Sequence, residues 1–477
     1  MSVLQTALRT PEEYLEHLRD DREVYYRGER VTDVVAHPEL GIAARHAALD
    51  FEFARDPEHA GLAVTDGFST FYAVPRCAAD LRRRSALIEA ATAHGATLVT
   101  LVKEIGTDAL FALLRVTHGT ETYERVEAFF EHCRTGDLTL AVAQTDVKGD
   151  RARGPKEQTD PDLYLRVVEE RADGIVVRGA KVHTSCTANV DEVIVIPTRA
   201  LSEDEKDWAV AFAIPVATPG LKLFCSDFQH GADDPWTHPI SSQHKMVETL
   251  TVFDDVFVPW DRVFLYGDTK RAGLLALTFV EFHRFTAISY KLPLVDAFVG
   301  LGGLLVEANG IGRASHVREK LTWLIAYAET VRGLTHLAAD RALVDEPTGI
   351  AYPHPLTTNL AKWTFARDYF GAVERVIDLA GGLLVTGPGD ADWSSPEVRP
   401  YLEKYFAAAV PAEERLAILN LASDLLARAY AGYQGVLAIH AEGSLEAEKI
   451  VLYRSYDPKP AVAFARKLAG LTTIPKE

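Results

Sequence analysis

Two short stretches carry residue types suited to cofactor chemistry. Gln144-Thr145-Asp146-Val147-Lys148-Gly149-Asp150-Arg151 is polar and charged and directly follows a strand-like run. Such a segment can offer backbone N–H groups, a hydroxyl and cations to a ring edge or a pyrophosphate; the same composition also suits a solvated surface loop. Gly179-Ala180-Lys181-Val182-His183-Thr184-Ser185 combines small residues with hydroxyls. It would let a flat cofactor approach closely, and it also reads as an ordinary β turn. The cysteines, Cys77, Cys133, Cys186 and Cys225, are scattered without a C-x-x-C pair or zinc-like spacing. They read as buried free thiols in a reducing cytoplasm. No G-x-G-x-x-G opens a helix, and no G-x-x-x-x-G-K-[ST], H-E-x-x-H or G-x-S-x-G occurs. Nicotinamide binding in a Rossmann crevice and P-loop chemistry are therefore not expected.

The elements that must position these stretches change character along the chain. Thr10-Pro11-Glu12-Glu13 has the N-cap, N1 proline and capping-box glutamate of a helix start, and Tyr14, Leu15 and Leu18 continue its apolar stripe. From about Leu81 to Phe130 the pattern stays helical. After Gly136 it becomes strand-like: Leu138–Ala143, a hairpin of Tyr164–Glu170 and Gly174–Gly179 around Arg171-Ala172-Asp173, then Glu192–Pro197, Ala209–Ile214 and Leu250–Phe253. Crowded strands without long intervening helices point to an antiparallel β domain. Beyond about Tyr266 helices return, including a long amphipathic run from Leu416 to Leu437, with loops at Pro353–Pro355 and Gly387-Pro388-Gly389. The order is helices, sheet, helices, with expected domains over residues 1–137, 138–268 and 269–477.

Composition bounds the function classes. The chain has 477 residues, 48% hydrophobic and 25% charged, which is ordinary globular usage with room for a large core. A net charge of −18 argues against nucleic acid or anionic membrane as the main partner. No signal peptide and no uncharged apolar run of membrane-spanning length is evident, so a cytoplasmic location is expected.

Four segments carry a joint resemblance: Asp146–Arg151; Val167–His183; Phe253-Asp254-Asp255-Val256-Phe257-Val258-Pro259; and Asp378-Leu379-Ala380-Gly381-Gly382-Leu383-Leu384. With Phe282-His283-Arg284-Phe285-Thr286-Ala287-Ile288-Ser289-Tyr290-Lys291, they resemble the flavoprotein family that unites 4-hydroxyphenylacetate 3-monooxygenases with 4-hydroxybutyryl-CoA dehydratase, and resemble the dehydratase branch more closely. The resemblance runs over nearly the whole chain. It implies an α+β, acyl-CoA-dehydrogenase-like subunit with an N-terminal helical domain, a central antiparallel β domain and a C-terminal helical bundle, FAD between the β domain and the helices, and a homotetramer. It places Lys148, Gly149, Asp150 and Arg151 in the flavin-contacting loop, Ser185 near the flavin ring, and Gly443 and Ser444 on a flavin-side loop. Gly381-Gly382 would receive a neighbouring subunit's flavin tail or form a tight helix–helix contact. Glu248, His283 and Lys291 match polar residues lining the dehydratase active site.

The chain departs from both branches. The dehydratase holds an iron–sulfur cluster with three cysteines and one histidine; the matching positions here are Thr100, Glu104, His283 and Tyr290. One imidazole without thiolates does not hold such a cluster, so none is expected. Glu104 and Tyr290 would either furnish a carboxylate and a phenol or simply fill space. The arginine, tyrosine and histidine with which the hydroxylases read a phenol align with Ile105, Ala109 and Val142. A simple phenol is therefore not the expected substrate.

The expectation that follows is a two-component monooxygenase. A separate reductase would supply reduced FAD, and one oxygen atom would pass to a small organic substrate. His283 would act as general base or acid, Glu248 would orient it or act itself, and Lys291 would stabilise an oxyanion. An alternative is a cluster-free acyl-thioester dehydrogenase, isomerase or dehydratase in which Glu248 or His283 removes an α-proton. A third is a non-catalytic assembly subunit that binds flavin only for structure.

Overall fold

The protein is represented by a computed structural model that describes residues 8–96, 98, 102–227 and 234–471. Thr100 lies outside the described residues. The expected capping box forms: Glu13 N–H donates to Thr10 Oγ1 (3.1 Å) and Thr10 N–H donates to Glu13 Oε2 (2.7 Å), starting helix α1 (Pro11–His17).

Before residue 138 the helices α2 (Leu40–Arg55), α3 (Ala60–Ala63), α4 (Ala78–Ala93), α5 (Glu104–Thr117) and α6 (Tyr123–Gly136) follow. The same region also holds hairpins that the periodicity did not announce, β1–β2 (Glu23–Tyr26, Glu29–Val31) and β3–β4 (Val64–Thr65, Phe68–Ser69). The first turns through Arg27 and Gly28, both at positive φ, as a two-residue hairpin turn requires.

The central strands are β5 (Leu140–Ala143), β6 (Arg166–Glu170), β7 (Gly174–Ser185), β8 (Glu192–Val195), β9 (Val210–Pro215), β10 (Leu221–Cys225), β11 (Glu248–Pro259) and β12 (Val263–Tyr266). They form a six-stranded sheet, β2-β1-β10-β11-β7-β6, and a four-stranded sheet, β12-β9-β8-β5. The sheets are mixed, not purely antiparallel: β1 pairs parallel with β10, and β5 parallel with β8. In each case the intervening chain is long enough to carry the second strand back in the same direction. Phe212 of one sheet meets Phe253 of the other edge-to-face at 5.9 Å, within a shared aliphatic core.

The C-terminal helices are α7 (Thr269–Tyr290), α8 (Leu292–Asn309), α9 (Ser315–Asp340), α10 (Pro355–Ala380), α11 (Leu383–Thr386), α12 (Asp390–Ser394), α13 (Arg399–Phe406), α14 (Ala412–Leu426), α15 (Ala429–His440), α16 (Leu445–Ser455) and α17 (Lys459–Leu468), with a hairpin β13–β14 (Leu343–Asp345, Ile350–Tyr352) between α9 and α10. The run Leu416–Leu437 is broken at Ala427 and Arg428 into α14 and α15. The stretch Thr269–Asn309 is long and apolar enough to cross a membrane, though not free of charges, and half of its most apolar window is buried inside this chain. Packing of α7 against α4, α5 and α10, and of α8 against α9, α10 and α14, accounts for that apolar character. Gly381 and Gly382 are exposed, and a Cβ at either would meet nothing within 4 Å, so neither makes a tight helix–helix contact within the chain.

Candidate active site

The register of the long central pair sets the first half of the site. β11 and β7 pair antiparallel with Glu248 opposite Ser185, at the end of the sheet facing the C-terminal helices. Ser185 Oγ donates to Glu248 Oε1 (3.0 Å) and Oε2 (3.1 Å), and Tyr433 OH on α15 donates to Oε1 (2.8 Å). Burial raises the Glu248 carboxyl above its ordinary value, the Tyr433 and Ser185 hydrogen bonds oppose the rise, and the nearby Glu442 charge adds to it.

The second half comes from the end of α7 and the chain between α15 and α16. Tyr290 OH donates to Glu442 Oε1. Lys291 Nζ, 2% exposed as a residue, reaches Glu442 Oε2 at 2.8 Å and Tyr290 OH at 3.3 Å. Lys362 Nζ on α10 stands 3.6 Å from Glu442 and 3.4 Å from Glu448. Burial lowers the Lys291 ammonium to about 8, with Glu442 opposing the fall. Burial pushes the Glu442 carboxyl up, but Lys291, Lys362 and His283 outweigh it and hold the group down at about 2. Arg284 braces the same loop by donating to Glu442 O (2.9 Å). Gly443 has φ +119, which favours glycine, and a Cβ there would meet the Arg284 guanidinium at 2.5 Å and oblige it to shift.

His283 stacks on Phe279 (centroids 4.9 Å apart), and its Nδ1 lies 3.7 Å from Asp108 Oδ2. Asp108 is fully buried; its Oδ1 accepts from Arg84 Nη2 (2.8 Å) and Thr286 Oγ1 (2.9 Å). The carboxylate beside His283 is thus Asp108. Glu248, expected to orient that imidazole, is bound instead by Ser185 and Tyr433. Lys291, expected to meet an oxyanion of the substrate, directs its charge to Glu442.

The Gln144–Arg151 stretch is anchored as well as exposed. Buried Asp146 pairs with Lys181 Nζ (2.8 Å), accepts from Leu165 N–H (3.0 Å) and forms a β bridge with Lys181. Beyond this anchor Lys148 and Gly149 adopt positive φ, and a Cβ at Gly149 would strike Gln158 Oε1 and Leu163 Cδ1 at 2.6 Å. Asp150 N–H donates to Gln158 Oε1 (3.0 Å). Lys148 is half-buried and Arg151 exposed; burial, then Arg151, lowers the Lys148 ammonium. Gly179–Ser185 is part of strand β7 and not a separate turn, so Lys181 and Ser185 lie roughly 13 Å apart along it. The structure therefore joins Ser185 to Glu248, and Lys291 to the Glu442–Ser444 loop, while Lys148–Arg151 lies in the loop that follows the Asp146–Lys181 bridge. Ser444 Oγ accepts from Ala447 N–H (3.3 Å) and N-caps α16.

Of the remaining aligned positions, Glu104 is 1% exposed and accepts from Lys103 N–H (3.1 Å). Ala109 lies in an apolar core against which Ile105 and Val142 pack. Sequence reasoning missed Asp108, Lys362, Tyr433, Glu442 and Glu448. Glu442 approaches Tyr290 and Lys291 across more than 150 positions of chain, and no local pattern marks such a contact.

Comparison with known proteins accounts for this architecture. Residues 10–265 match the family model for the 4-hydroxyphenylacetate 3-hydroxylase N terminal region, and residues 272–470 match that for its C terminal region. The 4-hydroxybutyryl-CoA dehydratase/vinylacetyl-CoA-Δ-isomerase of Clostridium aminobutyricum is 32% identical, over 97% of this chain and 100% of the relative. The crystal structure of the oxygenase component (HpaB) of 4-hydroxyphenylacetate 3-monooxygenase complexed with FAD superposes with TM-score 0.91 at 28% identity, covering 96% of this chain and 98% of that one. A glutaryl-coenzyme A dehydrogenase shares the fold alone, with TM-score 0.51 at 14% identity, covering 90% of this chain and 87% of that one. The chain belongs to the 4-hydroxyphenylacetate 3-hydroxylase family, flavin-dependent oxidoreductases on an acyl-CoA-dehydrogenase-like fold.

Proposed function

We propose that this chain is the oxygenase component of a two-component monooxygenase, taking reduced FAD from a separate reductase and oxygenating a small organic substrate other than a simple phenol. The observation that carries the reading is the pairing of a dense acid–base cluster, Tyr290–Glu442–Lys291, with an apolar setting at Ile105, Ala109 and Val142. That cluster can handle protons, and the apolar positions cannot hydrogen-bond a phenolate.

The residues present fit FAD. Lys148 and Arg151 offer cations on an anchored loop, Ser185 offers a hydroxyl at the end of β7, and Gly443 presents backbone without a side chain beside the Arg284 guanidinium. Lys148, Gly149, Asp150, Arg151, Ser185, Gly443 and Ser444 would hold it, and reduced FAD supplies the activation of dioxygen. His283, with Nδ1 turned toward Asp108, moves the substrate proton through Nε2. Glu248, with its raised carboxyl, is a second proton acceptor close to Ser185. Lys291 keeps Glu442 ionised, so that Tyr290 is held in one donor orientation.

The residues present do not fit an iron–sulfur cluster. Glu104 and Tyr290, at two of the aligned cluster positions, are not thiols. A homotetramer is part of the proposal: α17 buries none of its residues, and Tyr453, Phe464 and Leu468 are exposed on the last helices.

Supplying photoreduced FAD and screening oxygen uptake and oxygenated product against phenols, indoles, amines and acyl thioesters tests the reading. Product from a non-phenolic substrate is expected; product from simple phenols alone would overturn it. The second reading, acyl-thioester chemistry without a cluster, is favoured by the raised Glu248 carboxyl and the 32% identity to the dehydratase. Anaerobic bleaching of bound, oxidised FAD by an acyl-CoA would select it.

A further inference from the structure

Away from the Glu248–Glu442 site, three helix ends bring Asp56, His59 and His94 together. One ligand atom from each lies within 4.8 Å of the others, and all three residues are partly buried. Asp56 caps the C-terminus of α2, His59 precedes α3, and His94 caps the C-terminus of α4. The imidazoles are held by packing. His59 stacks on Phe53 at 4.4 Å, while His94 meets Phe53 edge-on at 5.4 Å and His59 at 5.7 Å. Asp56 Oδ1 is occupied by Glu58 N–H (2.9 Å), which turns Oδ2 toward His59 Nε2 at 3.8 Å.

We propose that Asp56, His59 and His94 form a site for a divalent transition-metal ion of the Zn2+ class. Two neutral imidazoles with one carboxylate suit Zn2+, Co2+ or Ni2+ better than Mg2+ or Ca2+, which take oxygen ligands. Ligands about 2.0–2.2 Å from a tetrahedral ion stand about 3.3 Å apart. The Asp56–His59 separation of 3.8 Å therefore needs only small side-chain rotations to close. The C-terminal ends of α2 and α4 carry partial negative charge that favours a cation; α3, of four residues, opposes it little. Partial exposure leaves a fourth position to water. The ion would clamp the ends of α2, α3 and α4 as a structural brace. Because α4 is hydrogen-bonded to α7 through Ser85 and Ser289 (2.8 Å), the brace would steady the helix that carries His283.

The test uses untagged full-length protein stripped with a chelator and titrated with Co2+ as the probe. One equivalent should bind with the strong visible absorption of a low-coordinate site, be displaced by Zn2+, and raise Tm. His94→Ala and His59→Ala should each weaken binding by more than the about 10–100-fold that loss of a supporting contact costs. Asp56→Asn, nearly isosteric, serves if a histidine variant fails to fold. It too should weaken binding while leaving FAD-dependent oxygen uptake of the metal-free protein unchanged. X-ray absorption of the wild-type Zn2+ form should show imidazole scattering. Co2+ binding that persists undiminished in the His59→Ala/His94→Ala protein, or no saturable binding at all, would overturn the proposal.

Discussion

Lys103 and Lys291 are both buried lysines, yet their surroundings give them opposite tasks. Lys103, with no exposure, sits between Asp50 (3.0 Å) and Asp137 (2.7 Å). Burial lowers its ammonium, but the paired carboxylates more than reverse the fall, so its charge is locked. Lys291 shares Glu442 with Lys362 and a phenol, and burial wins, leaving it near 8. The balance of opposite charge around a buried lysine thus decides whether it is a strut or a group whose proton is available near neutral pH.

The largest expected effect comes from breaking the second cluster. Glu442→Gln leaves Lys291 and Lys362 poorly compensated. It should cost about 3–5 kcal/mol in urea unfolding and about 100-fold or more in turnover of the folded fraction. Near-normal turnover would show that the Tyr290–Glu442–Lys291 group is as structural as the Lys103 group.

Lys103→Met probes the strut. It strands Asp50 and Asp137 and should cost a similar 3–5 kcal/mol, about the cost of breaking a buried pair. The kcat of protein that remains folded should be unchanged, as checked by activity normalised to native-state circular dichroism. A fall in kcat alone would erase the distinction.

pH sharpens it further. The Glu442 carboxyl is held at about 2 when folded against an ordinary 4.5, so its stabilisation is present above 4.5 and lost as pH falls toward 2. Acid unfolding should accordingly lose a few kcal/mol over that window, by order of magnitude, and this loss should be absent in Glu442→Gln. Lys291 has the opposite sign to a usual paired lysine. Its folded value of about 8 lies below 10.5, so the unfolded chain binds more protons between them and this group's contribution to stability rises with pH there. Turnover should nevertheless fall above about 8, and Lys291→Arg, whose charge persists, should move that alkaline limb upward. An unmoved limb would assign it to another group.

Smaller effects should follow from the hydrogen-bond donors. Tyr290→Phe removes a bond to a charged carboxylate and should cost about 1.5–3 kcal/mol by thermal or urea unfolding. Ser185→Ala should cost about 1 kcal/mol and raise the Glu248 carboxyl further, read as an upward shift of the acidic limb of the pH profile.

The amino-acid sequence by itself determined the order of elements and several local features, because these depend on neighbouring residues: the Thr10–Glu13 capping box, the β6–β7 hairpin around Arg171–Asp173, and the helical segment bearing His283. It also marked Ser185, Glu248, His283 and Lys291 through family resemblance. Tertiary structure alone decided which of them meet. Ser185 joins Glu248 through strand register, Lys291 joins Glu442 through the return of α16 onto α10, and His283 faces Asp108 from α5. It also decided that β1 enters the central sheet beside β10. Periodicity reports which face of an element is buried; the partner of a buried charge is chosen by chain segments distant in sequence, and their packing decides whether that charge is fixed or free to exchange a proton.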